Sequence, residues 1–199
     1  MKVVDDIESN AYSLPGGFIH VYGGLILSAD NEAELAAALA HETAHVAARH
    51  FTKLCSKKQI SKWSSLILAG PAGFLFWRTA VPLLLLRSAR RADIEADLVG
   101  LEYQYASGHD PGEFVELWKS LEDADKKEES FRHRISDSHP LASVHVSRMN
   151  NSIARYLPSR TEDVVDTSEF HEIKDRVATL MGVQHLRSEP SAAQARTNR

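Results

Sequence analysis

The stretch Glu34-Leu35-Ala36-Ala37-Ala38-Leu39-Ala40-His41-Glu42-Thr43-Ala44-His45-Val46-Ala47-Ala48-Arg49-His50 decides the fold. Alanine dominates it, and nothing from Glu34 to about Leu54 breaks a helix. Upstream, Asp30 or Asn31 supplies an N-cap, and Asn31 with Glu34 three residues on makes a capping-box pattern. These signals predict a helix from residue 31 to about 60. On a helix, residues i and i+4 share a face. His41 and His45 therefore aim both imidazoles at one point, with Glu42 beside it. Zinc accepts imidazole nitrogen and makes its bound water acidic near neutral pH. A helical His-Glu-x-x-His is thus equipment for metal-assisted peptide-bond hydrolysis. An alanine-rich helix of this kind is expected to be buried, and buried histidines need polar partners, which a metal supplies.

Composition sets the frame for that motif. The 199 residues suit one domain with a tail, and 43% hydrophobic with 25% charged residues is ordinary for a globular chain. A formal net charge of -4 argues against a nucleic-acid surface. The single cysteine, Cys55, excludes an internal disulfide and a Cys-rich zinc site, and reads as a small buried hydrophobe. No secretory signal stands at Met1; Met1 to Asp6 looks like a strand already inside a folded domain, as if the chain were a fragment or its start set too far downstream.

Around the motif, Phe18-Ile19-His20-Val21-Tyr22 reads as a short strand closed by Gly23-Gly24, with Phe18, His20 and Tyr22 on one face and Ile19 and Val21 on the other. Residues 64–86 are strongly apolar and long enough to cross a bilayer, but Gly70-Pro71, Arg78 and Pro82 interrupt them. Three readings stay open: a transmembrane span, a membrane-touching hairpin, and a buried pair of short helices. A second long helix is expected over 88–108, stopped by Gly108, and a third over 111–123, amphipathic through Phe114, Leu117, Trp118 and Leu121. Asp123 to Ser130 reads as an exposed linker, a helix follows Pro140 to about Tyr156, and the end from Ser188 on is polar enough for disorder.

A catalytic zinc takes three protein ligands and keeps one position for water. The third ligand is expected from Arg90-Arg91-Ala92-Asp93-Ile94-Glu95-Ala96-Asp97, which offers three carboxylates. Asp93 and Asp97 share a helix face; Glu95 points roughly the other way.

With these residues in view, the chain resembles the zinc metallopeptidase family that includes HtpX, the CAAX prenyl proteases, Oma-type mitochondrial proteases and periplasmic BepA-like proteases. The resemblance rests on Asn10 to Ile19, Glu34 to His50, Glu95-Ala96-Asp97 with Gly100, Gly108-His109-Asp110-Pro111 and Ser138-His139-Pro140. It covers residue 3 to about 150, and Val164 to Asp175 looks like the tail of a bacterial subgroup. It implies an α+β, mainly α-helical, zincin-like domain with a small N-terminal sheet bordering the active-site helix. The implied layout is a peptidase domain over 1–157, a C-terminal extension over 158–187 and a disordered tail over 188–199.

The resemblance also implies roles. One zinc ion is held by His41, His45 and the carboxylate at position 93. The family has glutamate there, and this chain has Asp93, one methylene shorter; Glu95 is the right residue type in another register, and a site without a working third ligand is the remaining reading. Asp97 matches an acid that orients a motif histidine from behind. Glu42 is the general base, and His139 approaches the metal as a removable ligand or oxyanion stabiliser. His145 occupies a position where the family often has arginine. His20, His50, His109, His133, His145, His171 and His185 lack ligand spacing to the motif.

The implied function is a metalloendopeptidase acting on unfolded or misfolded polypeptides in the bacterial cell envelope, with substrate bound as an extended strand along Phe18–Tyr22. Two other classes fit the residues: an inactive member acting as a binding scaffold, and a membrane-associated adaptor working through residues 64–86.

Overall fold

Alternation and turn signals in the first thirty residues produce a small sheet. The computed structural model describes residues 1–127, 142–158, 160 and 162–182. Strands β1 (Lys2–Val4), β2 (Ala11–Leu14) and β3 (Phe18–Tyr22) form it in the order β1-β3-β2, with β1 parallel and β2 antiparallel to β3. As the pattern predicts, Val21 is buried and Phe18 exposed, while Tyr12, His20 and Tyr22 cluster on the other face. The expectation that substrate adds to β3 fails, because β3 is the middle strand and both its edges are already paired. The outer strand beside the motif helix is β2 instead.

Helix α1 (Gly23–Ser28) follows without a turn, and its Leu25 and Ile26 pack with Val21. Gly24 is needed there: a Cβ would lie 2.0 Å from the Ile7 carbonyl oxygen. Helix α2 (Glu32–Ala47) is capped as the sequence predicts. The Asn31 side chain accepts from the Glu34 backbone N–H at 2.8 Å, and the Glu34 carboxylate accepts from the Asp30 N–H at 2.7 Å. The helix is shorter than predicted. It stops at Ala47, and Arg49 takes a left-handed conformation (φ 55°) before α3 (His50–Ala106) begins.

Helix α3 is a bent pair whose two arms are turned by 105°. Gly70 carries non-helical dihedrals at the break (φ 53°, ψ -133°). Beyond it, Gly73 lies so close to the first arm that a Cβ would be 1.8 Å from the Ser65 carbonyl oxygen. Lys57 donates to Ser88 Oγ across the arms at 2.8 Å, and Lys62 sits 5.8 Å from the Trp77 ring centroid. Two expectations are corrected here. The apolar segment is not a buried helix pair, since Ile67 and Leu68 are 78% and 84% exposed, and Cys55 is exposed too. Among the described residues, no single helix is long and apolar enough to cross a membrane.

The second arm ends at Ala106, and Gly108 (φ 89°) supplies the left-handed stop expected of it. Helix α4 (Gly112–Lys127) packs on α2, and α5 (Ala142–Tyr156) packs on α4 and α3. Phe114, Leu117, Trp118 and Met149 join Ala37, Ala40 and Leu101 in the main core. Small residues let the helices close up: a Cβ on Gly100 would stand 3.1 Å from the His41 N and Cα. Helix α6 (Ser168–Leu180) folds back on α1, burying Phe170, with Lys174 donating to the Ala29 carbonyl at 2.6 Å.

Candidate metal centre

Helix α2 presents His41 and His45 on one face, with their Nε2 atoms 3.0 Å apart. The second arm of α3 brings Asp93 alongside, its Oδ1 3.6 Å from His45 Nε2. These three residues offer ligand atoms that lie within 4.8 Å of one another. A tetrahedral zinc with ligands at about 2.0–2.1 Å has ligand–ligand edges of about 3.3 Å. The observed spacings bracket that edge, so the donor set fits zinc in both chemistry and size. His41, Glu42 and Asp93 are all buried.

His41 is backed by an acid. His41 Nδ1 lies 3.1 Å from Asp97 Oδ1. Asp97 is fully buried, and its second oxygen is hydrogen-bonded to His145 Nδ1. Burial alone would raise the Asp97 carboxyl, but the hydrogen bonds from His145 and His41 outweigh it and hold the group below the ordinary carboxylate range. His145 is in turn stacked on Trp118 at 4.4 Å between centroids, and the same indole meets His41 edge-on at 5.5 Å.

On the other side, His45 Nδ1 lies 3.1 Å from His50 Nδ1, and His50 Nε2 lies 3.3 Å from Glu95 Oε2. Glu95 is therefore not in the donor group; it stands behind His50, on the exposed side of the helix. A continuous helix would place residues 45 and 50 about 140° apart around the axis at 3.6 residues per turn. The left-handed Arg49 swings His50 back against His45. Such a conformation costs a non-glycine residue roughly 1–2 kcal/mol, and its place here, between two interacting histidines, is typical of strain held at a site.

Sequence reasoning picked out His41, Glu42, His45, Asp93 and Asp97, which the fold gathers in one place. It missed His50 and His145, reading both as histidines without a part in the site. Their only sequence signal was the histidine at the family's arginine position; His50 became relevant only through the break at Arg49. His20, His109 and His171 lie elsewhere, in ring contact with Tyr12, near Glu32 and against Asp166 respectively. His139, His133 and His185 fall outside the described residues. Beside the metal group, β2 and its turn face α2 across an open pocket lined by Ser13, Leu14, Gly17, His45, Val46 and Arg49.

The profile of peptidase family M48 matches residues 1–153. The mitochondrial metalloendopeptidase OMA1 of Schizosaccharomyces pombe is 30% identical over 178 residues, 86% of this chain and 50% of that protein. The beta-barrel assembly-enhancing protease of Escherichia coli is 26% identical over 190 residues, 87% of this chain and 38% of that protein. The chain thus spans half or less of the length of these relatives.

Proposed function

The chain belongs to peptidase family M48, and from that premise we propose that it is a zinc-dependent endopeptidase with a zincin-like site. The observation that carries the reading is the His41–His45–Asp93 group, with His41 and Asp93 buried and His45 half-buried, and Glu42 on the same helix turn. Its donors would hold one zinc ion, which when bound supplies Lewis acidity and an acidified water. The Glu42 carboxylate would serve as general base, accepting a proton from the attacking water and passing it to the leaving amine. Asp97 and His50 keep the Nδ1 protons of His41 and His45 in place, leaving both Nε2 lone pairs for the metal. His139 is proposed, from its motif alone, to hold the developing oxyanion.

An extended polypeptide can add to the outer edge of β2, where Ser13 and Leu14 line the pocket with His45. Main-chain hydrogen bonds of this kind place little demand on side-chain sequence. That supports unfolded or misfolded chains as substrates, and the family resemblance favours a place in the bacterial cell envelope.

The test compares zinc content and casein cleavage in the unmodified chain and Glu42→Gln. We expect about one zinc bound by both, in line with a three-ligand site, and cleavage by the unmodified chain alone, with the variant slower by at least about 100-fold. Zinc binding without cleavage by either would overturn the endopeptidase reading in favour of an inactive binding scaffold.

A further inference from the structure

The residues between the two sides of the metal group do something the peptidase reading does not use. Of the chain's 23 Lys and Arg, eight fall in residues 50–92, and none of its 27 Asp and Glu does. All eight are exposed. Six stand near the base of the bent α3 pair: Lys53, Lys57 and Lys58 on the first arm, Arg87, Arg90 and Arg91 on the second. Between Trp63 and Trp77 there is no charge at all. There the tip exposes Leu66, Ile67, Leu68, Phe74 and Leu75. An acidic chain has thus put a cationic collar beneath an uncharged apolar tip.

From this pattern we propose that the α3 hairpin docks on an anionic lipid bilayer, its tip entering one leaflet and its collar resting on the headgroups. Length supports one leaflet. Seven residues separate each tryptophan from Gly70, about 10 Å of helix at 1.5 Å per residue. One leaflet of hydrocarbon is about 15 Å deep, half of a core of about 30 Å. Trp63 and Trp77 mark the boundary, where indoles prefer to sit. Lys62 lies about 6 Å from both rings, its ammonium at the same level.

Backbone chemistry is compatible with that depth. Hydrocarbon penalises any polar group without an internal partner. Ser64 and Thr79 return their hydroxyls to carbonyls one turn back, at 2.8 Å and 2.9 Å. At the break, Pro71 has no N–H to strand. The collar supplies affinity for negative headgroups at about 1 kcal/mol per cation near the surface. The first arm begins at His50 and the second carries Asp93, so lipid docking would set the metal group at a fixed height above the membrane.

The experiment is flotation of the full chain with two kinds of vesicle: phosphatidylcholine alone, and phosphatidylcholine with phosphatidylglycerol at two to one. It needs no catalysis, so its outcome is separable from the peptidase reading. The chain should float with the anionic vesicles and stay behind with the neutral ones. Binding should weaken as salt rises from about 0.1 M to about 1 M, which shortens the screening length from about 10 Å to about 3 Å. Replacing Lys57, Lys58 and Arg87 by Gln should weaken partition about 100-fold, near fivefold for each charge. Ile67→Asp with Leu68→Asp should abolish it with the circular dichroism unchanged, since both side chains are exposed. Failure to float, equal binding to neutral vesicles, or binding that survives both sets of substitutions overturns the proposal. So does a dimer in light scattering lost on Ile67→Asp, or nucleic-acid binding through the collar, if no flotation accompanies it.

Discussion

His45 can give a metal its Nε2 lone pair only if its proton sits on Nδ1, and His50 is placed to accept that proton's hydrogen bond. His50 must then carry its own proton on Nε2, facing Glu95 at 3.3 Å. The His41 side is shorter, with the Asp97 carboxylate itself 3.1 Å from Nδ1. His50→Ala should therefore weaken zinc binding by about 10–100-fold, the usual range for a residue behind a ligand. Competition against a chelator measures this directly, and unchanged affinity would remove His50 from the site. Asp93 gives a second expectation. The fold has brought α3 close enough for the shorter acid: a Cβ added at Gly100 would stand only 3.1 Å from the His41 backbone. Asp93→Glu should hence give no gain in casein cleavage, and Asp93→Ala should lose both zinc and cleavage. A large gain in the glutamate variant would mean the natural site is incomplete. Why the sequence exposed some of these residues and not others is physical: i, i+4 spacing on one helix is visible in the chain, whereas a contact created by one backbone dihedral is not. Arg49 gives no hint of a left-handed turn, so His50 looked like the next residue of a continuous helix.

Among the elements, α2 is the one whose start was legible, because cap chemistry is local. Its N-terminus also carries a titration. Burial pushes the Glu34 carboxyl up from its ordinary value, only partly opposed by the hydrogen bond it accepts from the Asp30 N–H. A raised carboxyl in the folded state binds more protons than in the unfolded chain, so stability falls as pH rises from the ordinary glutamate value through the raised one. Above that window the penalty is constant. Glu34→Gln keeps an acceptor for Asp30 but removes the charge. It should flatten this part of the stability–pH curve and leave the protein more stable at pH 7, as urea melts across pH 4 to 8 would show. A variant that melts earlier at neutral pH would mean the charge at the helix start outweighs its burial. The α3 bend was half legible: Gly70-Pro71 announces a break, but only the close approach at Gly73 reveals that the arms fold together. That the segment stays exposed could not be read from its apolarity, since a buried helix pair has the same composition.

For the molecule as a whole, the metal group joins α2 to the far arm of α3, with the long apolar hairpin as the loop between them. A ligand that binds only the folded state stabilises it by about 2.7 kcal/mol at one hundred times its dissociation constant. For a chain of this size each kcal/mol moves the melting temperature by about 2–4 °C. Saturating zinc should then raise Tm by roughly 5–10 °C over the chelated protein, in line with those two relations. His45→Ala should lose the shift, because the remaining donors cannot close the site. Ile67→Asp with Leu68→Asp should keep it in full, because both side chains are exposed and neither belongs to the donor group. Differential scanning calorimetry with and without chelator decides the matter. If the tip variant also lost the zinc shift, the hairpin would be part of the metal site's framework rather than a separate surface. If His45→Ala kept it, the ion responsible would be bound elsewhere, and the site built here from α2 and α3 would have to be given up.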